Sequence, residues 1–446
     1  MTTVEARLAL AHLENNQKQL KYAFSSSLQR HRGRETKKTA KTKKSEKAKK
    51  CEKTKRNEEV SGSMGIVAER APANPFSPSF GTTPPLLAGR DEVLARFAEA
   101  IETGPTHPDY TLLVTGDRGT GKTALLNALE ATAAERGWLT VSAAASSESL
   151  SERIAAEAVR CLEQLPGGRR RVRLGSLSVL GVGVELDPGD AIPIGSGSLT
   201  SVLEQLGEEL TDARIGLLLT VDELHDVPRD DVRNVASAVQ IVTRRRQRPV
   251  AFAAAALPLI EHSHLADPHM TFLQRCARAP LGPLTPEETR RALREPIVSR
   301  GSAIDDDALA EAVDSTLGYP YMIQLVGFHA WRMRATTDEP ISVVDIRAAI
   351  VEAEHAMVEQ VAGPVWNRLS PMDRRFLVAM LQDESESSLA DIAARLDRSL
   401  QYARAYRRRL LAAGALSPVS AGRVRFRHHA LRRRAQDAAR DDPDLS

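Results

Sequence analysis

Short apolar runs separated by helical stretches set the pattern of this chain. Residues 110–115, 138–144, 215–221 and 250–256 are apolar almost throughout, have strand length, and are bounded by turns or charge. Residues 123–136, 149–164, 198–208 and 229–246 lie between or beside them and read as helices. A further helix is expected at about 91–102, where Val93, Leu94, Phe97, Ala98 and Ile101 fall at helical spacing. Near-continuous strands alternating with helices predict an α/β fold with a parallel sheet covered on both faces. Residues 171–186 alternate around a Gly-Val-Gly-Val stretch and predict an inserted hairpin, and the Pro/Ser/Gly-rich residues 72–85 predict an extended approach. After Pro283 the pattern turns helical. Thr285-Pro286-Glu287-Glu288 supplies a cap, a proline at the first helical position and a capping-box glutamate. Helices at about 286–298, 305–316, 321–335 and 343–361 predict a small all-α bundle. Pro364 opens a third unit, with helices from Ser370 to about Leu381, at 389–396 and at 399–413, then two short strands around Gly422. That order is the order of a winged helix-turn-helix.

Composition narrows the class. No run approaches the 18 or so apolar residues of a membrane span, so no membrane partner is expected. The three cysteines, Cys51, Cys161 and Cys276, are far apart and include no Cys-x-x-Cys, which excludes a disulfide framework or a cysteine zinc site. A protein of the reducing cytoplasm is expected. The net charge of +3 hides segregation. Residues 1–60 hold 17 Lys and Arg against 7 Asp and Glu, residues 61–394 hold 31 against 46, and residues 395–434 hold 12 Arg and one Asp. Two basic ends around an acidic body predict polyanion contacts at the ends. Twelve of the thirteen lysines lie in residues 18–55, and Lys122 is the other. Residues 1–63 therefore read as a disordered, basic leader, either an addition ahead of the second start at Met64 or an arm for nucleic acid.

Gly116-Asp117-Arg118-Gly119-Thr120-Gly121-Lys122-Thr123 matches G-x-x-x-x-G-K-[ST] in full, after an expected strand and at the start of an expected helix. Its glycines let successive backbone N–H groups wrap phosphate oxygens at a helix N-terminus. Lys122 would reach the terminal phosphates of ATP, and Thr123 would offer a hydroxyl to Mg²⁺. In a body otherwise free of lysine, one lysine at this position is a specific signal. About 100 residues on, the strand at 215–221 runs into Asp222-Glu223. Asp222 would hold Mg²⁺ through water, and Glu223 would orient and deprotonate the attacking water. His225 reads as an ordinary loop histidine.

Here the chain resembles the AAA+ ATPases, in particular the archaeal origin-recognition-like branch and its bacterial relatives. The resemblance rests on Pro85-Leu86-Leu87-Ala88-Gly89-Arg90-Asp91-Glu92, the two motifs above, and Gly318-Tyr319-Pro320-Tyr321-Met322-Ile323-Gln324 in the helical bundle. It implies a P-loop core over 64–283 with Gly89 and Arg90 near the adenine, a lid over 284–362 that closes on the nucleotide with Pro320, and a winged helix over 363–435. An acidic tail over 436–446 would follow. Two departures matter. The strand at 250–256 ends in alanines where the family places a polar sensor of the γ-phosphate, and Gly318-Tyr319-Pro320 stands where replication initiators present an arginine. That Gly-x-Pro is similar to the STAND signalling ATPases, which act as nucleotide switches. Arg275 and Arg278 are candidate arginine fingers for a nucleotide-dependent homo-oligomer, or else surface arginines. Slow turnover is expected.

In the last helix of the third unit, a helical wheel puts Leu400, Ala403, Leu410 and Leu411 on one face and Gln401, Tyr402, Ala405, Arg408 and Arg409 opposite, available to a DNA groove. Arg404 and Arg407 fall toward the apolar side. In the expected wing, Arg423, Arg425 and Arg427 alternate with Val424 and Phe426, which predicts an arginine face for phosphates. Two functions follow: an ATP-dependent switch that binds duplex DNA, favoured by the arginine face, and a STAND-like signalling ATPase whose winged helix regulates or binds protein, favoured by the missing sensors.

Overall fold

A computed structural model of the chain describes residues 73–79, 81–165, 199–334 and 339–442. The leader at 1–63 and the hairpin expected at 171–186 lie outside the described residues. Among the described residues, no helix is long and apolar enough to cross a membrane.

The first half is an all-parallel sheet in the order β2-β3-β4-β1-β5. Its strands are β1 (Thr111–Gly116), β2 (Leu139–Ala144), β3 (Leu217–Asp222), β4 (Val250–Ala256) and β5 (Ala277–Leu281). Helices α1 (Asp91–Thr103), α2 (Lys122–Glu135), α3 (Leu150–Gln164), α4 (Leu199–Ala213) and α5 (Arg229–Gln240) cover it. The period-2 alternation of each strand divides the sheet into two cores. Leu113, Leu217, Leu219, Phe252 and Ala254 pack on one face with residues of α3, α4 and α5. Leu112, Val114, Leu218, Ala251, Ala253 and Ala255 pack on the other with Phe97, Leu125 and Leu129. Every residue of β4 is buried. Ser149 caps α3 by accepting from Glu152 N–H.

Two expectations are corrected here. The sheet has a fifth strand, because Ala277–Leu281 pairs with β1 from Leu112↔Ala277 to Gly116↔Leu281. The helix expected to end at 208 continues to Ala213, since Leu210 stays buried beneath it.

The second half begins with α6 (Pro286–Ser299), α7 (Asp306–Thr316), α8 (Pro320–Met333) and α9 (Val343–Met357). The capping box expected at Thr285 and Glu288 is present. A π-helical turn, Val358–Ala362, runs straight into α10 (Gly363–Arg368). Then come α11 (Pro371–Ala379), β6 (Ser387–Ser388), α12 (Leu389–Arg395), α13 (Leu400–Ala412), and the hairpin β7 (Leu416–Ser420) and β8 (Arg423–Phe426). The three short strands form an antiparallel sheet in the order β6-β8-β7. A last helix, α14 (His429–Asp441), was not expected: the segment read as an acidic tail from 436 is helical to Asp441, because Ala435 and Ala438 are buried. One continuous core spans α6 to α14, including Leu293, Val326, Trp366, Phe376, Leu410 and Leu431, so it crosses the division expected at 362/363. Phe76 joins it from the extended approach, where Asn74 Nδ2 donates to Phe328 O and Gln324 Oε1 accepts from Ser77 N–H.

Candidate nucleotide-binding site

The phosphate loop sits between the buried end of β1 and the first turn of α2. Gly119 and Gly121 have φ of 76° and 91°, in the left-handed region that glycine adopts without strain. Thr120 Oγ1 donates to Asp117 O at 2.8 Å and closes the loop. Lys122 is buried, and its Nζ donates to Asp117 O at 3.1 Å. Burial pushes the Lys122 ammonium below its ordinary pKa, opposed by Glu223 and Asp222. Thr123 Oγ1 donates to Asp222 Oδ2 at 2.6 Å. Thus the structure brings the two sequence motifs together across 99 residues. The hydroxyl and carboxylate form a hard-oxygen pair of the kind Mg²⁺ accepts.

Glu223 follows in the left-handed region, at φ 52° and ψ 37°. Its backbone N–H donates to Asp222 Oδ1 at 2.8 Å, so the turn sends the two carboxylates different ways. His225, read as an ordinary loop histidine, is buried in the turn Leu224–Asp226. Its Nε2 stands 3.3 Å from Glu223 Oε2 and 3.6 Å from Asp226 Oδ1. Burial pushes the His225 imidazole below its ordinary pKa, opposed by Asp226 and Glu223.

A cavity of about 300 Å³ opens over this loop. Residues 118–124 and Glu223 form its floor, and Arg90, Leu86 and Ala88 form one side. Gly89 stands behind the wall: a Cβ there would meet the Glu288 carboxylate at 2.7 Å. Arg90 Nη2 donates to Gly282 O at 3.0 Å, and burial lowers its pKa against the pull of Glu288. Pro320, Tyr321, Ile323 and Gln324 of α8 close the roof. Sequence reading missed Ser77, Thr82 and Pro84 of the approach, and Gln360 and Arg368, which also line the cavity. No motif marks them, because they reach the cavity only through the packing of the extended approach and of the turn around Val358–Ala362 against the loop. The lid meets the loop directly: Tyr319 Oη donates to Arg118 O, and Tyr321 N–H donates to Gly119 O at 3.2 Å. Gly318 permits this approach, since a Cβ there would meet Leu284 O at 2.1 Å.

Several expected DNA contacts are placed elsewhere. Arg427 lies beyond β8 and forms an ion pair with Asp117 of the phosphate loop, so it leaves the expected arginine face. Its neighbour His428 packs on Tyr319, with ring centroids 5.3 Å apart, and burial and the Arg427 charge push its pKa down to about 4. Arg409 is tied to the buried Asp373 at 2.8 Å, which also accepts from Ser370 in the capping box of α11. Leu400, expected in the core, is 40% exposed at the first position of α13. Gln401, Arg408, Arg423 and Arg425 are exposed, and Tyr402 stacks on Tyr406 at 4.4 Å. Arg404 is exposed, whereas Arg407 is half-buried and its Nε has no hydrogen-bond partner among the described residues. Arg275 is exposed in the turn before β5, whereas Arg278 lies within β5 opposite Leu113 with a buried Nη1.

Residues 86–253 match the family described as AAA ATPase domain. Residues 359–433 match a domain of unknown function (DUF8462). No curated protein matches the chain. Among solved structures, the chain is similar to the ORC2 protein of Aeropyrum pernix in its ADPNP–ADP complexes, at 16% identity and TM-score 0.57, covering 82% of this chain and 97% of that one. It is also similar to a Walker-type ATPase of Pyrococcus abyssi, at 15% identity and TM-score 0.52, covering 78% of this chain and 96% of that one. The fold is that of the P-loop NTPases. The stretch that matches the AAA ATPase domain, residues 86–253, holds the phosphate loop, Asp222 and Glu223.

Proposed function

We propose that the chain is an ATP-binding, slowly hydrolysing AAA+ switch that binds duplex DNA through a winged helix built from α11 to β8. Backbone N–H groups of residues 118–123 and Lys122 would hold the phosphates, and Thr123 and Asp222 would hold Mg²⁺. The ion would supply charge neutralisation at the phosphates. Glu223, which lines the cavity, would accept the proton of the attacking water. Arg90 and the α8 roof would enclose the base and sugar. Slow turnover is supported by β4, whose buried alanines offer no polar side chain beside the γ-phosphate. Exposed Gln401, Arg408, Arg423 and Arg425, on adjacent elements of a domain rich in arginine, support the DNA surface.

The observation that carries the switch reading is the Arg427–Asp117 ion pair, because it joins the C-terminal unit to the phosphate loop by one side-chain contact. The same contact keeps a second reading in play. In a STAND-like signalling ATPase, the C-terminal unit would report the nucleotide to a protein partner, and Gly318-Tyr319-Pro320 at the loop favours that version. The site itself is tested by two substitutions. Lys122→Ala should lose ATP affinity by about a hundredfold or more, and Glu223→Gln should keep ATP binding while turnover falls by about 10²–10⁴. Unchanged affinity in Lys122→Ala would falsify the assignment of the loop.

A further inference from the structure

We propose that His225 is a positioning residue for Glu223, holding its carboxylate through an N–H whose direction is set by the end of β4. The inference rests on Glu223 being the general base. His225 sits two residues beyond Glu223 in the turn Leu224–Asp226, with its side chain 2% exposed. Its Nδ1 accepts a hydrogen bond from Leu257 N–H at 3.3 Å, and Leu257 is the first residue after β4. A neutral imidazole carries one proton, so an accepting Nδ1 places that proton on Nε2. Nε2 faces Glu223 Oε2 at 3.3 Å, with Asp226 Oδ1 at 3.6 Å. Nε2 and Oε2 are both buried and neither has a hydrogen-bond partner among the described residues, so at 3.3 Å each stands where it can satisfy the other.

Glu223, His225 and Asp226 lie close enough together to suggest a metal site. The tautomer argues against one, because the nitrogen that faces the carboxylates carries the proton and is a donor. Holding Oε2 leaves Oε1 as the oxygen that takes a proton, and fixes where it stands. A base placed an ångström away from its water loses much of its effect. Since the other end of the ring is bonded to Leu257, a shift at the end of β4 reaches Glu223 through His225. In this chain the histidine links the base to the strand whose own side chains are alanine near the phosphate.

Three variants separate the two ends of the ring. His225→Phe keeps its bulk and removes both nitrogens. His225→Gln retains an amide N–H for Glu223 and gives up the acceptor to Leu257, and His225→Asn does the converse. The full chain is assayed for ATP turnover, ATP affinity and thermal midpoint. His225→Phe should lower kcat by about tenfold while KM and ATP affinity stay within about twofold. His225→Gln should recover most of the rate, and His225→Asn should not. If kcat follows the thermal midpoint across the variants rather than the donor, or if His225→Phe turns over at the wild-type rate, the proposal is wrong. Should His225→Phe fail to fold, the Gln and Asn variants alone decide it by their order. Glu223→Gln is run alongside: if it turns over normally, the base assignment itself falls, whereas a blocked Glu223→Gln beside a normal His225→Phe removes the positioning role alone.

Discussion

Glu223 holds a backbone conformation that costs a non-glycine residue about 1–2 kcal/mol, and it is repaid by Asp222 Oδ1 accepting from its N–H. At the end of a buried strand two adjacent carboxylates meet different partners, Asp222 the Thr123 hydroxyl and Glu223 the His225 ring. His428 shows the same economy in the other half of the molecule. Its ring packs on Tyr319, and burial and the Arg427 charge lower its pKa to about 4 in the folded chain from an ordinary 6.5. The unfolded chain therefore binds a proton that the folded chain refuses between these two values, so stability is lost as pH falls from 6.5 towards 4 and is unaffected above 6.5. The loss attributable to this group reaches up to about 3 kcal/mol. Thermal melts of wild type and His428→Gln at pH 7 and pH 4.5 should show a steeper acid loss in the wild type. Equal acid losses in the two would remove His428 from the account.

At the scale of elements, Arg409 and Arg408 are neighbours with different work. Both are exposed, but Arg409 pairs with Asp373, which is buried and caps α11. Arg409→Ala leaves that carboxylate without its cation and should destabilise the chain by about 1–3 kcal/mol, whereas Arg408→Ala should stay within about 0.5 kcal/mol. Denaturant unfolding measures both, and equal costs would refute the distinction. A second pair, Asp383 with Arg395, is bidentate at 2.7 and 2.6 Å and holds the Asp383 carboxyl down at about 2. The wheel of α13 was sound for Ala403 and Leu410, but it could not see that Arg409 meets a carboxylate 36 residues away. The four long apolar strands and the helices between them were legible because their periods are carried by neighbouring residues. β5 was not, since Ala-Arg-Ala-Pro-Leu has no apolar run and becomes a strand by pairing with β1. α14 was missed because its buried positions are mainly alanines among arginines and aspartates. The phosphate loop, Asp222 and Glu223 were legible as motifs. His225 and Arg427 were not, because their roles depend on contacts with Glu223, Leu257 and Asp117 that spacing does not reveal.

Across the whole molecule, one hydrophobic core runs from the lid through α10 to α14, so the lid and the C-terminal unit have no apolar seam between them along which to part. A change in how α8 and Tyr319 meet the phosphate loop should then be felt at α13 and β8. Arg427 ties this body to the loop alongside Tyr319, and Arg423 and Arg425 are the exposed pair on β8. Neutralising Arg423 and Arg425 together should reduce the slope of log DNA affinity against log salt by roughly 2, at about 0.9 per phosphate contact. Arg427→Ala should leave that slope unchanged, and a slope reduced by both changes alike would return Arg427 to the DNA face. In the proposed switch, nucleotide and DNA binding are coupled through the Arg427–Asp117 contact. That coupling is tested most directly by the affinity of the full chain for duplex DNA with ATP, with ADP and without nucleotide, in wild type and in Arg427→Ala. The account predicts that wild-type affinity differs between ATP and ADP by at least about fivefold, the low end of ordinary coupling, and that the difference collapses in Arg427→Ala while ATP still binds. Wild-type DNA affinity that is the same in all three nucleotide conditions would contradict it.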